Sequence, residues 1–95
     1  MAYNLFIAYD LDQPGQNYDA VRERIRSLGQ WYQFQLSLFF VHSRHSPQDA
    51  YALVWSTMDA NDKLAVINCS DLVGAIVSNW DHPPIDAINS IWFSA

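Results

Sequence analysis

Cysteine and basic residues are scarce in this sequence, and each scarcity excludes a class of protein. The single cysteine, Cys69, has no second cysteine with which to form an internal disulfide, which excludes a disulfide-stabilised secreted scaffold. Only five Lys and Arg residues stand against ten Asp and Glu, for a net charge of −5. Nucleic-acid-binding proteins usually carry a basic excess, so we expect weak nucleic-acid binding at best.

Long apolar runs are also absent. No stretch approaches the roughly 20 apolar residues of a membrane span, and Met1-Ala2-Tyr3-Asn4 lacks the basic and apolar regions of a signal peptide. We therefore expect a reduced, cytoplasmic protein that does not associate with a membrane. The 95 residues predict a single domain over 1–95.

Apolar and aromatic residues, in contrast, are abundant. They make up 51% of the chain and include four Trp, five Tyr and five Phe, which is more than so small a core needs and predicts a homodimer that hides the surplus. The acidic charge is uneven, because residues 1–45 sum to zero and residues 46–95 carry all of the −5. An anion would be met by the first half, whereas the second half suits a basic protein partner.

The chain is organised around the run Asn4-Leu5-Phe6-Ile7-Ala8-Tyr9-Asp10. Its length, its apolar content and the turn residues Asp12-Gln13-Pro14-Gly15 that follow predict a buried strand. Asp10 closes this strand, at the kind of sheet edge where functional groups are commonly exposed.

Apolar spacing and capping residues predict two helices. The first covers 18–28, with Asn17 as its N-cap and Gly29 as its left-handed stop. The second covers 47–58, with Ser46 as its N-cap and Pro47 at its first position. The residues expected to face the core are Val21, Ile25 and Leu28 in the first helix, and Ala50, Leu53, Val54 and Thr57 in the second.

The outer face of the first helix carries Arg22, Glu23 and Arg26, with Arg24 to the side. One interpretation is a solvated face with Asp19/Arg22 and Glu23/Arg26 ion pairs. The other is a patch that faces phosphate groups of a nucleic acid or contacts a partner.

The remaining segments are mostly strand-like. Residues 31–43 predict either one long bent strand or two short strands hinged near Leu36-Ser37. Residues 63–69 predict another strand, and Cys69 at its end is expected in the core. Residues 72–77 favour an extra strand over a helix because Gly74 would interrupt the helix, and a short C-terminal helix follows Pro83-Pro84.

This order of elements predicts an α+β fold, a ferredoxin-like split βαβ sandwich with an antiparallel sheet and two helices on one face. The extra strand and the short helix would complete it at the C-terminus. The side chains expected to be buried in the sheet and its cover are Leu5, Ile7, Val21, Ile25, Leu28, Tyr32, Phe34, Leu36, Leu38, Leu53, Val54, Leu64 and Val66. The aromatic residues expected at the surface are Trp31, Phe39, Trp55, Trp80 and Trp92.

Three short motifs together resemble a known family. They are Tyr9-Asp10-Leu11 at the end of the first strand, the Arg-rich helix ending Leu28-Gly29, and Trp31-x-Gln33-x-Gln35-x-Ser37-Leu38-Phe39. Over roughly residues 3–69 the chain resembles the small CRISPR-associated nuclease of the adaptation machinery, together with its VapD-like toxin and SinR-like relatives. It departs from that family in having Phe40 where an acidic residue or Gly is usual, and in its acidic rather than basic charge.

The resemblance implies a ferredoxin-like homodimer in which Asp10 meets its symmetry mate near the two-fold axis and binds Mg²⁺. Asp10 would then be both the catalytic and the metal-binding residue of an endonuclease, and Arg22 and Arg26 are weaker matches to basic positions of the family. The alternative is that Asp10 only caps the turn after it.

Two functions follow, and both stay open at this point. The first is a Mg²⁺-dependent endonuclease or endoribonuclease, or its inactive scaffold relative. The second is a non-catalytic dimeric module that binds a protein partner through an acidic, aromatic-rich surface, such as a defence-related inhibitor of phage or host origin or a toxin–antitoxin component. The pair His42 and His45 is too small a set for a zinc site and is interpreted as a polar loop.

Overall fold

The computed structural model describes residues 2–11, 18–70 and 90–91. In chain order the elements are β1 (Tyr3–Asp10), α1 (Tyr18–Arg26), β2 (Gly29–Gln35), β3 (Leu38–Ser43), α2 (Pro47–Trp55) and β4 (Lys63–Asn68). The strand predicted over 72–77 lies outside the described residues. Of the predicted C-terminal helix only Ser90 and Ile91 are described, and both are helical. No helix in the described ranges is long and apolar enough to cross a membrane.

The four strands form one open antiparallel sheet in the order β2-β3-β1-β4. The strands on either side of α1, which are β1 and β2, have β3 between them, and the strands on either side of α2 have β1 between them. The two β-α-β units are therefore interleaved. The predicted α+β class, the antiparallel sheet and the two helices are confirmed.

The segment predicted as one bent strand or two short ones forms two strands. A two-residue turn, Leu36-Ser37, connects Gln35 to its partner Leu38, and the register shifts between Gln33 and Gln35. The Ser37 carbonyl accepts a hydrogen bond from the Tyr9 backbone N–H at 3.1 Å. The Leu36 side chain is 68% exposed in this turn, so its predicted burial was wrong.

Helix α1 buries Val21 and Ile25 as predicted but ends at Arg26, two residues early. Gly29 is not its left-handed stop. It begins β2 opposite Ser43, and a Cβ there would lie 2.1 Å from the His42 carbonyl oxygen, so glycine permits the close approach of the two strands.

Helix α2 begins as predicted. The Ser46 Oγ accepts the Asp49 N–H at 3.1 Å and Pro47 occupies the first turn, which satisfies a backbone donor that has no partner inside the helix. The regular helix ends at Trp55, and Thr57 and Met58 continue only with tighter bonds to carbonyls three residues back.

The sheet is packed on both faces. Both helices contact the same face, since one cluster contains the buried side chains of α1, of α2 and of one side of the central strands: Leu5, Ile7, Tyr9, Leu11, Val21, Ile25, Leu28, Phe39, Val41, Ala50 and Val54. Tyr32, Phe40 and Cys69 form a second cluster on the opposite face, with Phe6, Phe34 and Ile91 against it.

The predicted core is largely confirmed. Fully buried as predicted are Leu5, Ile7, Val21, Ile25, Leu28, Tyr32 and Val54. Partly buried are Phe34, Leu38, Leu53, Leu64 and Val66. Phe39, predicted at the surface, is fully buried under α1, whereas Trp31 is exposed and Trp55 is half-buried. Trp80 and Trp92 lie outside the described residues.

Candidate functional site

The site predicted at Asp10 lies at the carboxyl end of the central strand. Side chains of β1 alternate, so Leu5, Ile7 and Tyr9 point toward the helices and Asp10 points to the other face of the sheet. Asp10 is exposed. Within the part of the chain that the structure describes, no hydrogen bond or ion pair holds its carboxylate. The carboxylate is therefore accessible from solvent at the end of β1.

Lys63 is the residue that the sequence analysis missed at this site. It is paired with Asp10 across the antiparallel ladder, so the two side chains leave the sheet on the same face and both line a cavity of about 270 Å³. Only the register of β1 against β4 brings them together, and register cannot be read from either strand alone.

Arg22 reaches the same end of the sheet from α1. Its Nε donates to the Tyr9 hydroxyl at 3.2 Å and to the Leu36 carbonyl at 3.4 Å, and the guanidinium lies 5.1 Å from the centre of the Tyr18 ring. The predicted pair with Asp19 is present at 3.8 Å. Because Asp19 is exposed to solvent, this pair adds little stability.

Tyr9 connects Arg22 to the β2-β3 turn. Its hydroxyl donates to the Leu36 carbonyl and accepts from Arg22. Burial raises the pKa of the Tyr9 phenol, and this effect outweighs the Arg22 charge, which lowers it. The phenol therefore stays protonated and remains a hydrogen-bond donor at neutral pH.

A second cavity joins these groups. Asp10, Arg22, Tyr18 and the Leu36-Ser37 turn line a space of about 520 Å³ next to the smaller one. Asp10 thus lines both cavities, one together with Arg22 and the other together with Lys63. An acid near two cations can hold a metal ion while the cations contact the oxygens of a bound phosphate.

The other two predicted arginines point elsewhere. Arg24 donates from Nη1 to the Leu53 carbonyl at 3.3 Å and to the Ser56 hydroxyl at 3.5 Å, where it pairs with a carbonyl at the end of α2. Arg26 lies over the Trp31 ring at 5.1 Å and does not form the predicted pair with Glu23. The three arginines do not form one patch.

Asp10 offers a hard oxygen ligand of the kind that Mg²⁺ prefers. Mg²⁺ takes hard oxygen ligands and keeps several waters, and Asp10 supplies one such carboxylate per chain. No group of three or more His, Cys, Asp and Glu residues that could hold a metal occurs among the described residues. One Asp10 carboxylate supplies fewer oxygen ligands than Mg²⁺ requires, so a Mg²⁺ site there would need further oxygens from outside the described residues.

Cys69 is buried, as predicted. Its thiol donates to the Asn4 carbonyl at 3.2 Å, and burial raises its pKa. The protonated, enclosed thiol is a packing group rather than a nucleophile.

Comparison with protein-family models, with curated proteins and with solved structures finds no match to this chain. The resemblance to the adaptation nuclease family therefore stays a prediction from the motifs quoted above.

Proposed function

We propose that this chain is a small homodimeric relative of the CRISPR-associated adaptation nuclease on a ferredoxin-like scaffold, with weak Mg²⁺-dependent endonuclease activity at Asp10. One observation carries the proposal: an exposed carboxylate without a partner among the described residues stands at the end of the central strand, where it lines one cavity with Lys63 and another with Arg22. The interleaved β-α-β units and the placement of both helices on one face support the scaffold.

The proposed chemistry assigns a role to each group. Asp10 and its symmetry mate would hold Mg²⁺, which supplies a metal-activated water and neutralises charge on the scissile phosphate. Arg22 and Lys63 contact the phosphate oxygens and hold the backbone of the nucleic acid. Tyr9 fixes the position of Arg22 through the 3.2 Å bond to its Nε.

Assembly is the first test. Light scattering at tens of micromolar should give twice 10.9 kDa, because a Mg²⁺ site needs oxygens that one copy does not supply. A monomer at that concentration would remove the shared-metal site.

Activity is the decisive test. The protein should cleave RNA or DNA only with Mg²⁺ or Mn²⁺, and Asp10→Asn should abolish cleavage with little change in Tm, because the substitution keeps the shape and removes the ligand charge. Asp49→Asn is the matched control, since it removes one exposed carboxylate from α2 and should leave cleavage unchanged. Equal activity in the wild type and Asp10→Asn would contradict the proposal.

We also propose a second function, a non-catalytic module that binds a basic protein partner, and a specific observation favours it. Arg24 and Arg26 are occupied by contacts within the chain, so few cations remain for nucleic acid in a protein of net charge −5. Exposed apolar side chains remain for a protein contact, namely Trp31, Leu36 and Ile67.

Anisotropy of a labelled oligonucleotide separates the two functions. If the protein is a nuclease, its affinity for the oligonucleotide should fall as the salt concentration rises. Lys63→Gln should lower that affinity below that of the wild type. The interaction module should show no binding at 150 mM salt and no metal-dependent cleavage.

A further inference from the structure

Strand β4 lies at the edge of the sheet. Among the described residues only β1 pairs with it, so one side of its backbone meets β1 and the other side meets no described strand. An edge strand can accept an added strand unless a proline, a bulge or a charged residue in its middle blocks that edge. The run Leu64-Ala65-Val66-Ile67 contains neither proline nor charge, and its register against β1 is continuous.

The hydrogen bonds to β1 identify which backbone groups of β4 point outward. The Cys69 N–H donates to the Asn4 carbonyl at 2.8 Å, which fixes the side of the strand that faces β1. In an antiparallel ladder the backbone groups of successive residues alternate between the two sides of the strand. Every second residue back from Cys69 therefore faces β1, and Leu64 and Val66, which lie between them, direct their N–H and C=O groups outward.

A groove beside this edge can receive side chains. Val66 and three residues of α2, which are Pro47, Gln48 and Tyr51, line a cavity of about 350 Å³. Tyr51 is 41% exposed, and its ring stacks on Trp55 with 6.0 Å between the ring centres. The stacking holds Tyr51 as a wall of the groove. The groove is therefore mostly apolar and lies next to the outward backbone groups of β4.

The charges where β4 begins determine the sign of the partner. Asp10 pairs with Lys63 across the ladder, and Asp62, which precedes Lys63, accepts the Asp59 N–H at 2.8 Å. Three carboxylates thus stand near one ammonium group, and residues 46–95 carry a net charge of −5. A basic segment is attracted to this end of the groove, whereas a second copy would bring two acidic halves together.

We propose that an extended, basic segment of a partner protein adds to the sheet as a strand along β4. Its backbone pairs with Leu64 and Val66. Its side chains on one face fill the groove beside Tyr51, and those on the other face cover Ile67, which is 55% exposed. The proposal rests on the second function proposed above, and it names the place and the form of the partner.

Hydrogen exchange of the backbone amides, followed by NMR, tests the proposal with a peptide of alternating Lys and Val residues as the probe. In the free protein the Ala65 and Ile67 amides should exchange slowly, and those of Leu64 and Val66 should exchange fast. Saturating peptide should slow the exchange of Leu64 and Val66 about tenfold or more. The same peptide with Glu in place of Lys, or with Pro in place of two central Val residues, should bind about tenfold more weakly or worse.

Two variants test the edge and the groove separately, by fluorescence anisotropy of the labelled Lys-Val peptide. Val66→Pro removes an outward N–H without removing a bond to β1, and Tyr51→Ala changes an exposed side chain, so its folding is not at risk. Each should lower the affinity about tenfold or more. Ala52→Ser is the matched control, because Ala52 is exposed on α2 but is not among the described lining residues of the cavity, and it should leave the affinity unchanged.

Slow exchange of Leu64 and Val66 in the free protein would overturn the proposal, because this chain or a second copy would then already cover the edge. Equal affinities of the wild type, Val66→Pro and Tyr51→Ala would also overturn it. Binding of the peptide without slowed exchange in β4 would overturn the site and leave the second proposed function standing. No binding of the peptide at millimolar concentration would overturn both, so the two failures are distinguishable.

Discussion

Both faces of the sheet are packed, but different types of side chain and different elements cover each face. Under the helices the core is mostly aliphatic and contains the buried residues of α1 and α2. On the other face the sheet contributes aromatic rings, with Phe6 5.7 Å from Phe40 and 5.8 Å from Phe34 between ring centres, and Ile91 packs against them. The comparison teaches that β3 is covered on both faces, which explains why the consecutive residues Phe39, Phe40 and Val41 are all buried.

The largest expected effect is on the aromatic face. Phe40→Ala should lower the free energy of unfolding by about 3–5 kcal/mol, because it removes a fully buried ring from a packed cluster. Urea denaturation measures it, with Phe40→Leu as a milder control. A cost below about 1 kcal/mol would show that this face is not a true core.

A substitution on the face of the sheet that the helices cover should lower the free energy of unfolding slightly less. Ile25→Ala removes a fully buried side chain of α1 and should cost about 2–5 kcal/mol. Ile67→Ala is the control, because Ile67 is 55% exposed on the other face of the edge strand, and it should cost less than about 1 kcal/mol. Equal losses in the two variants would mean that the helix phase is wrong.

A substitution at Tyr9, near the carboxyl end of β1 on the helix-covered face, should lower the free energy of unfolding by less. Tyr9→Phe removes the hydroxyl that donates to Leu36 and accepts from Arg22, and should cost about 1 kcal/mol at pH 7. An unchanged free energy of unfolding would show that water replaces these bonds at no cost.

Tyr9 should also make the stability of the fold depend on pH. Burial raises the pKa of Tyr9 in the folded state, so above pH 10 the unfolded chain loses this proton first. Stability is therefore fully present below pH 10 and is lost as pH rises through the raised folded pKa. Burial also raises the pKa of Cys69 above 9.0. The free energy of unfolding is therefore measured against pH with and without Tyr9→Phe in a Cys69→Ala background. There, Tyr9→Phe should reduce the loss of stability at alkaline pH.

The sequence predicted those features of the fold that depend on neighbouring residues, namely a helix start and the buried face of a helix. The cap at Ser46 and the apolar spacing of Val21 and Ile25 specify a helix and its buried face within one or two turns of chain. These were confirmed. The position of Asp10 at an exposed strand end also followed from the strand and the turn after it.

Contacts between distant segments could not be predicted in this way. Phe39 was predicted at the surface wrongly, because β3 is covered on both faces. Lys63 joins Asp10 only through the register of β4 against β1, and the contact of Arg24 with the Leu53 carbonyl depends on where the end of α2 lies. Each of these depends on the tertiary arrangement, which leaves no local periodic signal.

A substitution at Leu36, in the turn between β2 and β3, should have the smallest effect on the free energy of unfolding. Leu36 was predicted in the core and is instead 68% exposed at the β2-β3 turn. Its backbone carbonyl accepts the bonds from Tyr9 and Arg22, and a substitution of the side chain keeps that carbonyl. Leu36→Ser should therefore change the free energy of unfolding by less than about 0.5 kcal/mol, whereas Leu5→Ala in the core should cost about 2–5 kcal/mol. A loss above 1 kcal/mol in dilute Leu36→Ser would mean that the turn side chain is buried after all, either within the chain or by a second copy, and the dependence of that loss on protein concentration would separate the two.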